Sequence, residues 1–332
     1  MKILWLNDPQ ADYGASFLFF GMVNLGHTVY DYPEKPSYHG VVHEGYSVPG
    51  IESGMTAPFA WMPKGGAPKH ALPGKVTDLL SDGYFDLVVL ESLRYGACEA
   101  FRDIEPYLGN VKTLLHCGED HSAINLSPIN GFDVDVIAHR EHRRQWAREE
   151  WFGKTLVVPC PFSAPDMLTA KPPFPWEGLY YDCIFLAGNT HPDRIEVANA
   201  LTDSGINGQY AVQSGGDASR AIGAVMEFQG YSLALQNSKS GVSVRGFGED
   251  TCRYWETAVL TGLVCDDPDI WIPHPFEDGE TCVRFTSPQF VPDAVRRMTP
   301  EIRLAGIEHA RKYHTNSARA QYLLNYLMEG LL

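Results

Sequence analysis

The run from Val242 to Asp266, VSVRGFGEDTCRYWETAVLTGLVCD, decides the fold of this 332-residue chain. It begins as a short β-branched strand, turns at Gly246 and Gly248, continues as a helix and ends in a second short strand that enters an acidic patch. Strand, turn, helix and strand in that order form one unit of a parallel α/β sheet. Glu249, Asp250 and Thr251 suit the start of a helix, and the free N–H groups of such a start suit a phosphate. Glycine at 246 and 248 lets the backbone approach a ligand closely. Glu256 follows on the same helix, where a carboxylate at the sheet's rim accepts hydrogen bonds from sugar hydroxyls. The unit is expected to hold a phosphate at its tip and a ribose beside it. Arg245, directly after the strand, and Lys239 are the natural cations for such a phosphate group.

Outward from this unit the same alternation repeats. In the first half, strands are expected at 3–6, 27–32, 86–91, 111–116, 133–139 and 155–159. Helices are expected at about 15–25, 74–81, 95–107 and, as a charged helix, near 140–150. Residues 33–73 show little periodicity, and a connection of that length is often functional. Tyr38, His39, His43, Phe59 and Trp61 are its candidates for a lid or a surface that shapes an acceptor. The stretch from Cys160 to Glu177 carries five prolines in eighteen residues and can form neither a long helix nor a central strand. The chain therefore divides into a domain at 1–165, a stiff linker at 166–178 and a second domain at 179–332. That second domain is expected to open with a strand at 181–187 and to run through a helical region at about 218–237. It closes with two or three helices, of which the last packs in the core or straps back onto the first domain.

Composition narrows the function. Net charge is −15, from 41 acidic and 26 basic residues, which argues against a protein that coats nucleic acid or anionic lipid. The seven cysteines are scattered and no CxxC occurs, a pattern that fits a reducing, cytoplasmic setting. The first residues read as a strand rather than a secretion signal, and no apolar run reaches the length of a membrane span. There is no GxGxxG, so no nicotinamide cofactor is assigned, and neither a P-loop nor a nucleophile elbow is present.

The first half offers its own chemistry. After the strand at 111–116 stands CGEDH, at a strand end where α/β folds keep reactive groups. His116, Glu119, Asp120 and His121 form the densest ionisable cluster in the chain. A histidine titrates in the useful range, and a carboxylate can orient it or act itself. Asp120 and His121 are the leading candidates for a base, with Glu119 and, in the loop after the first strand, Asp8 behind them. The same four residues also admit a metal site or a salt-bridged turn, although no zinc spacing, HExxH or EF-hand occurs.

The run from Ser240 to Gly262, followed by PHPFEDGE from Pro273 to Glu280, resembles the C-terminal half of glycosyltransferases of the GT-B type. Their fold is α/β, with two Rossmann-like domains facing across a cleft. The similarity is nearest to the bacterial and phage group that resembles the spore-maturation protein CgeB. Tyr181 to Arg194 is similar to the opening strand and loop of the donor domain in these enzymes. The resemblance covers roughly residues 180–327, and the first half only by general layout. It implies transfer of a sugar from a nucleotide diphosphate sugar, a UDP-sugar in the first instance, to a hydroxyl acceptor, with no essential metal or other cofactor. It also implies that Glu256 holds the ribose, and it adds Arg194 as a third cation. Many retaining relatives carry a second glutamate eight residues earlier; here that position is Gly248 and the nearest acid is Glu249. An epimerase or hydrolase on the same architecture, a glycosyltransferase for modified DNA bases, and a non-catalytic nucleotide- or glycan-binding protein are the alternatives.

Overall fold

The computed structural model describes residues 1–9, 12–39, 66–120, 122–124, 133–213 and 228–329. They build two α/β domains, each around its own sheet. The first sheet contains β1 (Lys2–Leu6), β2 (Thr28–Tyr32), β3 (Leu87–Leu90), β4 (Lys112–Cys117), β5 (Val136–His139), β6 (Glu150–Phe152) and β7 (Thr155–Pro159), in the order β2-β1-β3-β4-β5-β7-β6. All neighbours pair in parallel except β6, which lies antiparallel to β7 at the edge. The second sheet contains β8 (Tyr181–Gly188), β9 (Gly208–Gln213), β10 (Ser238–Ser243), β11 (Gly262–Cys265) and β12 (Val283–Arg284), in the order β12-β11-β10-β8-β9, all parallel.

The central strands, β1, β3, β4, β5 and β7 in one sheet and β8, β10 and β11 in the other, are largely buried on both faces, as parallel strands between helical layers must be. Alternate residues feed opposite cores. Ile3 and Trp5 join one cluster with Phe19 and Leu323, whereas Leu4 and Leu6 join another with Phe101 and Ile137. The second sheet splits likewise, with Phe185, Val242 and Val264 on one side and Ile184, Leu263 and Cys265 on the other.

Helices α1 (Tyr13–Asn24), α2 (Val76–Ser81) and α3 (Tyr95–Ile104) cover the first sheet. Around the second lie α4 (Pro192–Asp203), α5 (Phe228–Gln236), α6 (Cys252–Leu260), α7 (Val291–Arg296) and α8 (Pro300–Tyr313). Asp12 starts α1 by accepting the Ala15 N–H at 2.9 Å, and Thr299 starts α8 with Pro300 in the first turn. The last helix, α9 (Asn316–Glu329), crosses back to the first domain. Its Ala320, Leu323, Leu324 and Leu327 complete the core that α1 begins. Gly21 of α1 permits the approach, since a Cβ there would overlap the Asn316 carbonyl.

The order of strands reverses between β1 and β3 in one sheet and between β8 and β10 in the other. In open α/β sheets ligands bind outside the strand ends at such a switch point. The loop from Arg245 to Thr251 leaves β10 at the second of these points.

Residues 140–149 are not the expected helix. The chain turns there and enters the edge strand β6. Its backbone is used by the other domain instead, for Trp271 donates its N–H to the His142 carbonyl at 2.7 Å and Arg143 bridges Ile270. The expected lid candidates His43, Phe59 and Trp61, and the expected helix before residue 228, lie outside the described residues. Tyr38 is core rather than lid, fully buried and stacked on Phe19 at 4.1 Å, and His39 pairs with Asp31 at 3.0 Å.

Candidate active site

The two carboxyl rims meet where the loop after β5 touches the loop after β10. The Glu141 carboxylate, fully buried, accepts the backbone N–H of Glu249 through Oε2 and that of Asp250 through Oε1, both at 3.1 Å. The Arg140 guanidinium donates to the same Oε1 at 3.3 Å. These are the N–H groups that the sequence assigns to a phosphate at a helix start; they lie in the loop before the N-cap, Thr251, and are bonded to a carboxylate of the first domain. Gly248 makes the fit possible, because a Cβ there would meet the Glu141 carboxylate and the Arg140 guanidinium. Its need for glycine therefore comes from a side chain of the first domain. Arg140 also pairs with Asp120, stands 3.9 Å from Asp250 and stacks over the Phe162 ring at 4.4 Å.

Asp250 is structural in this arrangement. It accepts the Phe162 N–H at 2.6 Å and the Trp255 indole N–H at 2.7 Å. Burial pushes its carboxyl up to about 6 against the pull of Arg140, and the nearby Glu141 pushes it the same way. Glu249 pairs with Arg143 and Arg245, each at 3.3 Å. Arg245 lies on the rim as expected, but its charge is shared between Glu249 and Asp266. Thr251 is the N-cap residue of α6 without a capping side-chain bond; its hydroxyl lies 3.4 Å from that of Ser243. Phe247, between the two glycines, is 76% exposed.

Arg194 is buried and turned onto the backbone. Its guanidinium donates to the carbonyls of Gly188, Val244 and Arg245 at 2.9–3.0 Å, bracing the ends of β8 and β10 beneath Gly246. Burial and the neighbouring Arg253 bring it down to about 9. Lys239 is misplaced in the sequence reading. It sits at the start of β10, pairs with Asp182 at the start of β8 at 2.7 Å, and so lies at the opposite end of the sheet from the rim. A strand run of six residues separates the two ends, and no side chain spans it.

Glu256 is on α6 as expected but is 5% exposed, not presented on an open rim. Burial pushes its carboxyl up to about 7, while Arg253 and the Tyr231 hydroxyl of α5 act to keep it charged.

On the first domain, Asp8 proves to be a structural residue. It is buried, its N–H donates to Glu91 at 2.7 Å, and its Oδ2 accepts the Gly96 N–H at 3.0 Å, which ties the β1 loop to the start of α3. Glu119 follows β4 half-buried, and Asp120 is exposed and engaged with Arg140. His121 lies outside the described residues. His116, the first residue of that cluster, is placed differently. Its ring is buried in a slot between Gly14 and Gly118, and its Nδ1 lies 3.1 Å from the Glu91 carbonyl. A carbonyl only accepts, so Nδ1 carries the proton and the neutral ring keeps a lone pair on Nε2. Burial pushes the imidazole down, against the pull of Asp12.

Arg140 and Glu141 are what sequence reasoning missed. The signal was available: a charged run, REHRR, directly after a buried strand on the same rim as CGED. A cavity of about 460 Å³ lies beside this seam, lined in part by Arg144, Arg148, Tyr254, Asp267, Trp271 and His274, and shares no residue with the anion seat. Among the described residues no group of three or more His, Cys, Asp or Glu is placed to hold a metal ion, and no helix is long and apolar enough to cross a membrane.

No protein-family model and no curated protein sequence matches the chain. Solved structures do. Anabaena Alr3699/HepE, solved in complex with UDP-glucose, superposes with a TM-score of 0.55 at 10% identity, over 99% of this chain and 100% of its own. The fold is GT-B. AviGT4, a glycosyltransferase involved in avilamycin A biosynthesis, is similar at 15% identity and a TM-score of 0.45, over 99% of this chain and 98% of its own. Acinetobacter baumannii MurG is similar at 11% and 0.44, over 99% of each chain. In this GT-B arrangement the seat formed by Glu249, Asp250 and Arg140 lies on the seam between the two Rossmann-like domains, and His116 stands at the end of β4, the strand beside β5.

Proposed function

We propose that the chain is a glycosyltransferase of the CgeB-like kind, moving a sugar from a nucleotide diphosphate sugar, a UDP-sugar first among them, to a hydroxyl acceptor without a metal ion. The observation that carries this reading is that the loop N–H groups of Glu249 and Asp250, at the switch point of the five-stranded sheet, together hold one carboxylate, each bonding one of its two oxygens, a pair of donors suited to an anion such as phosphate. The donor diphosphate binds there, with Arg140 and Arg245 as its cations. Arg194 and Thr251 shape the loop beneath it. Glu256 accepts the ribose hydroxyls from further along α6. The acceptor enters from the first domain. Its hydroxyl oxygen forms the new bond to the anomeric carbon while the bond from that carbon to the phosphate oxygen breaks. The proton passes to His116 Nε2 and the electron pair leaves with the nucleoside diphosphate. The carboxylates along the seam, Asp120, Glu141 and Asp250, argue against a DNA acceptor.

Calorimetry with UDP, GDP, TDP and CMP tests the reading. One nucleotide should bind the wild type and should bind Glu256→Gln at least about tenfold more weakly, the loss of a hydrogen bond to a charged group. A wild type that binds none of them would refute the proposal.

A further inference from the structure

We infer that Glu141 is a built-in competitor for the donor: its carboxylate occupies the phosphate seat, and a nucleotide enters by displacing it. The inference rests on the donor reading above and goes beyond it in naming what guards the site. Three donors converge on one buried carboxylate, two backbone N–H groups at 3.1 Å and the Arg140 guanidinium at 3.3 Å. Two N–H groups and a guanidinium are a phosphate-binding set. The carboxylate reaches them from the other domain, through the space that Gly248 leaves.

Charge makes the two occupants exclusive. Around Arg140 stand three carboxylates, those of Asp120, Glu141 and Asp250. A diphosphate added to that set would face them with a single guanidinium between. Exchanging Glu141 for phosphate instead replaces one anion by another and leaves every donor satisfied. Asp250 cannot make way, since both its oxygens are held by Phe162 and Trp255. Asp120 is exposed, and the two N–H groups are bonded to Glu141 rather than to it. Glu141 is thus the group that must leave. Because its bonds to residues 249 and 250 also join the two domains, displacement loosens the seam at the moment the donor arrives. A site open only part of the time binds with an affinity reduced by the open fraction.

Titration of UDP and of inorganic pyrophosphate into the wild type, Glu141→Gln and Glu141→Asp tests this, with melting curves to verify folding. The glutamine removes the charge. The aspartate keeps it but is one methylene too short to span both N–H groups. Both variants should bind each probe about tenfold more tightly than the wild type. Wild-type binding as tight as that of both variants overturns the competitor while leaving the donor reading intact. Tightening in Glu141→Gln alone assigns the effect to charge at a distance and also overturns it. No binding by any of the three proteins removes the donor reading and this inference together.

Discussion

At the scale of single residues, the site turns on two buried groups that titrate away from their usual range. Burial favours the neutral form of His116 and the Glu91 carbonyl holds it in one tautomer, which leaves the lone pair on Nε2; on the proposed reading that lone pair takes the acceptor's proton. Replacing it by glutamine should lower kcat by about 10²–10⁴-fold, the usual worth of a general base, with nucleotide affinity unchanged; a steady-state assay beside calorimetry separates the two. Glu256 is held up to about 7 by burial. On the proposed reading its carboxylate accepts two ribose hydroxyls, and as an acid it accepts less well. Donor KM should therefore rise as pH falls through about 7, and Glu256→Gln should abolish that dependence. The glutamate and its helix were legible in the sequence. Its burial was not, because Tyr231 comes from another helix.

At the scale of elements, the last helix matters most. α9 leaves the second domain, crosses through Asn316, whose N–H donates to the Ala164 carbonyl at 2.9 Å, and fills the core beside α1. Its apolar spacing announced a packed helix, but spacing cannot name the partner. Leu323→Ala removes a fully buried side chain from this contact and should cost about 2–5 kcal/mol, read as a lower urea midpoint. A change below 0.5 kcal/mol would mean that α9 adds nothing to the core of the first domain. The segment 140–149 shows the converse. The sequence reads it as a charged helix, yet its backbone pairs with Trp271 and Ile270, so tertiary pairing overrides local preference.

At the scale of the whole molecule, the seam sets how stability follows pH. The carboxyls of Asp250 and Glu256 are raised to about 6 and about 7 by burial. Between the unfolded carboxylate range near 4 and those values, the native state binds more protons than the unfolded chain. Their contribution is complete below about 4 and is lost as pH rises through the folded values. Melting temperatures of the wild type and Asp250→Asn, compared from pH 8 to pH 5, should shift in the wild type's favour as pH falls. A difference that is flat or moves the other way would show that Asp250 stays ionised throughout. His314 acts in the opposite sense, since burial holds it well below its ordinary value, which is why the comparison must be against a single variant.

The sequence alone determined the α/β class, the two-sheet layout and the strand–loop–helix unit at residues 242–266, because hydrophobic periodicity and turn residues act locally along the chain. It also singled out the N–H groups of Glu249 and Asp250 as part of an expected helix start, but the helix begins only at Cys252 and those two N–H groups lie in the loop before its N-cap, Thr251. Tertiary structure decided what meets them. Glu141 is more than a hundred residues away, Arg194 spends its charge on three carbonyls, Lys239 lies at the far end of its strand, and His116 is fixed by the backbone of β3's successor residue, Glu91. Each of these depends on which strand ends lie side by side, and that is set by packing between elements rather than by any pattern within one.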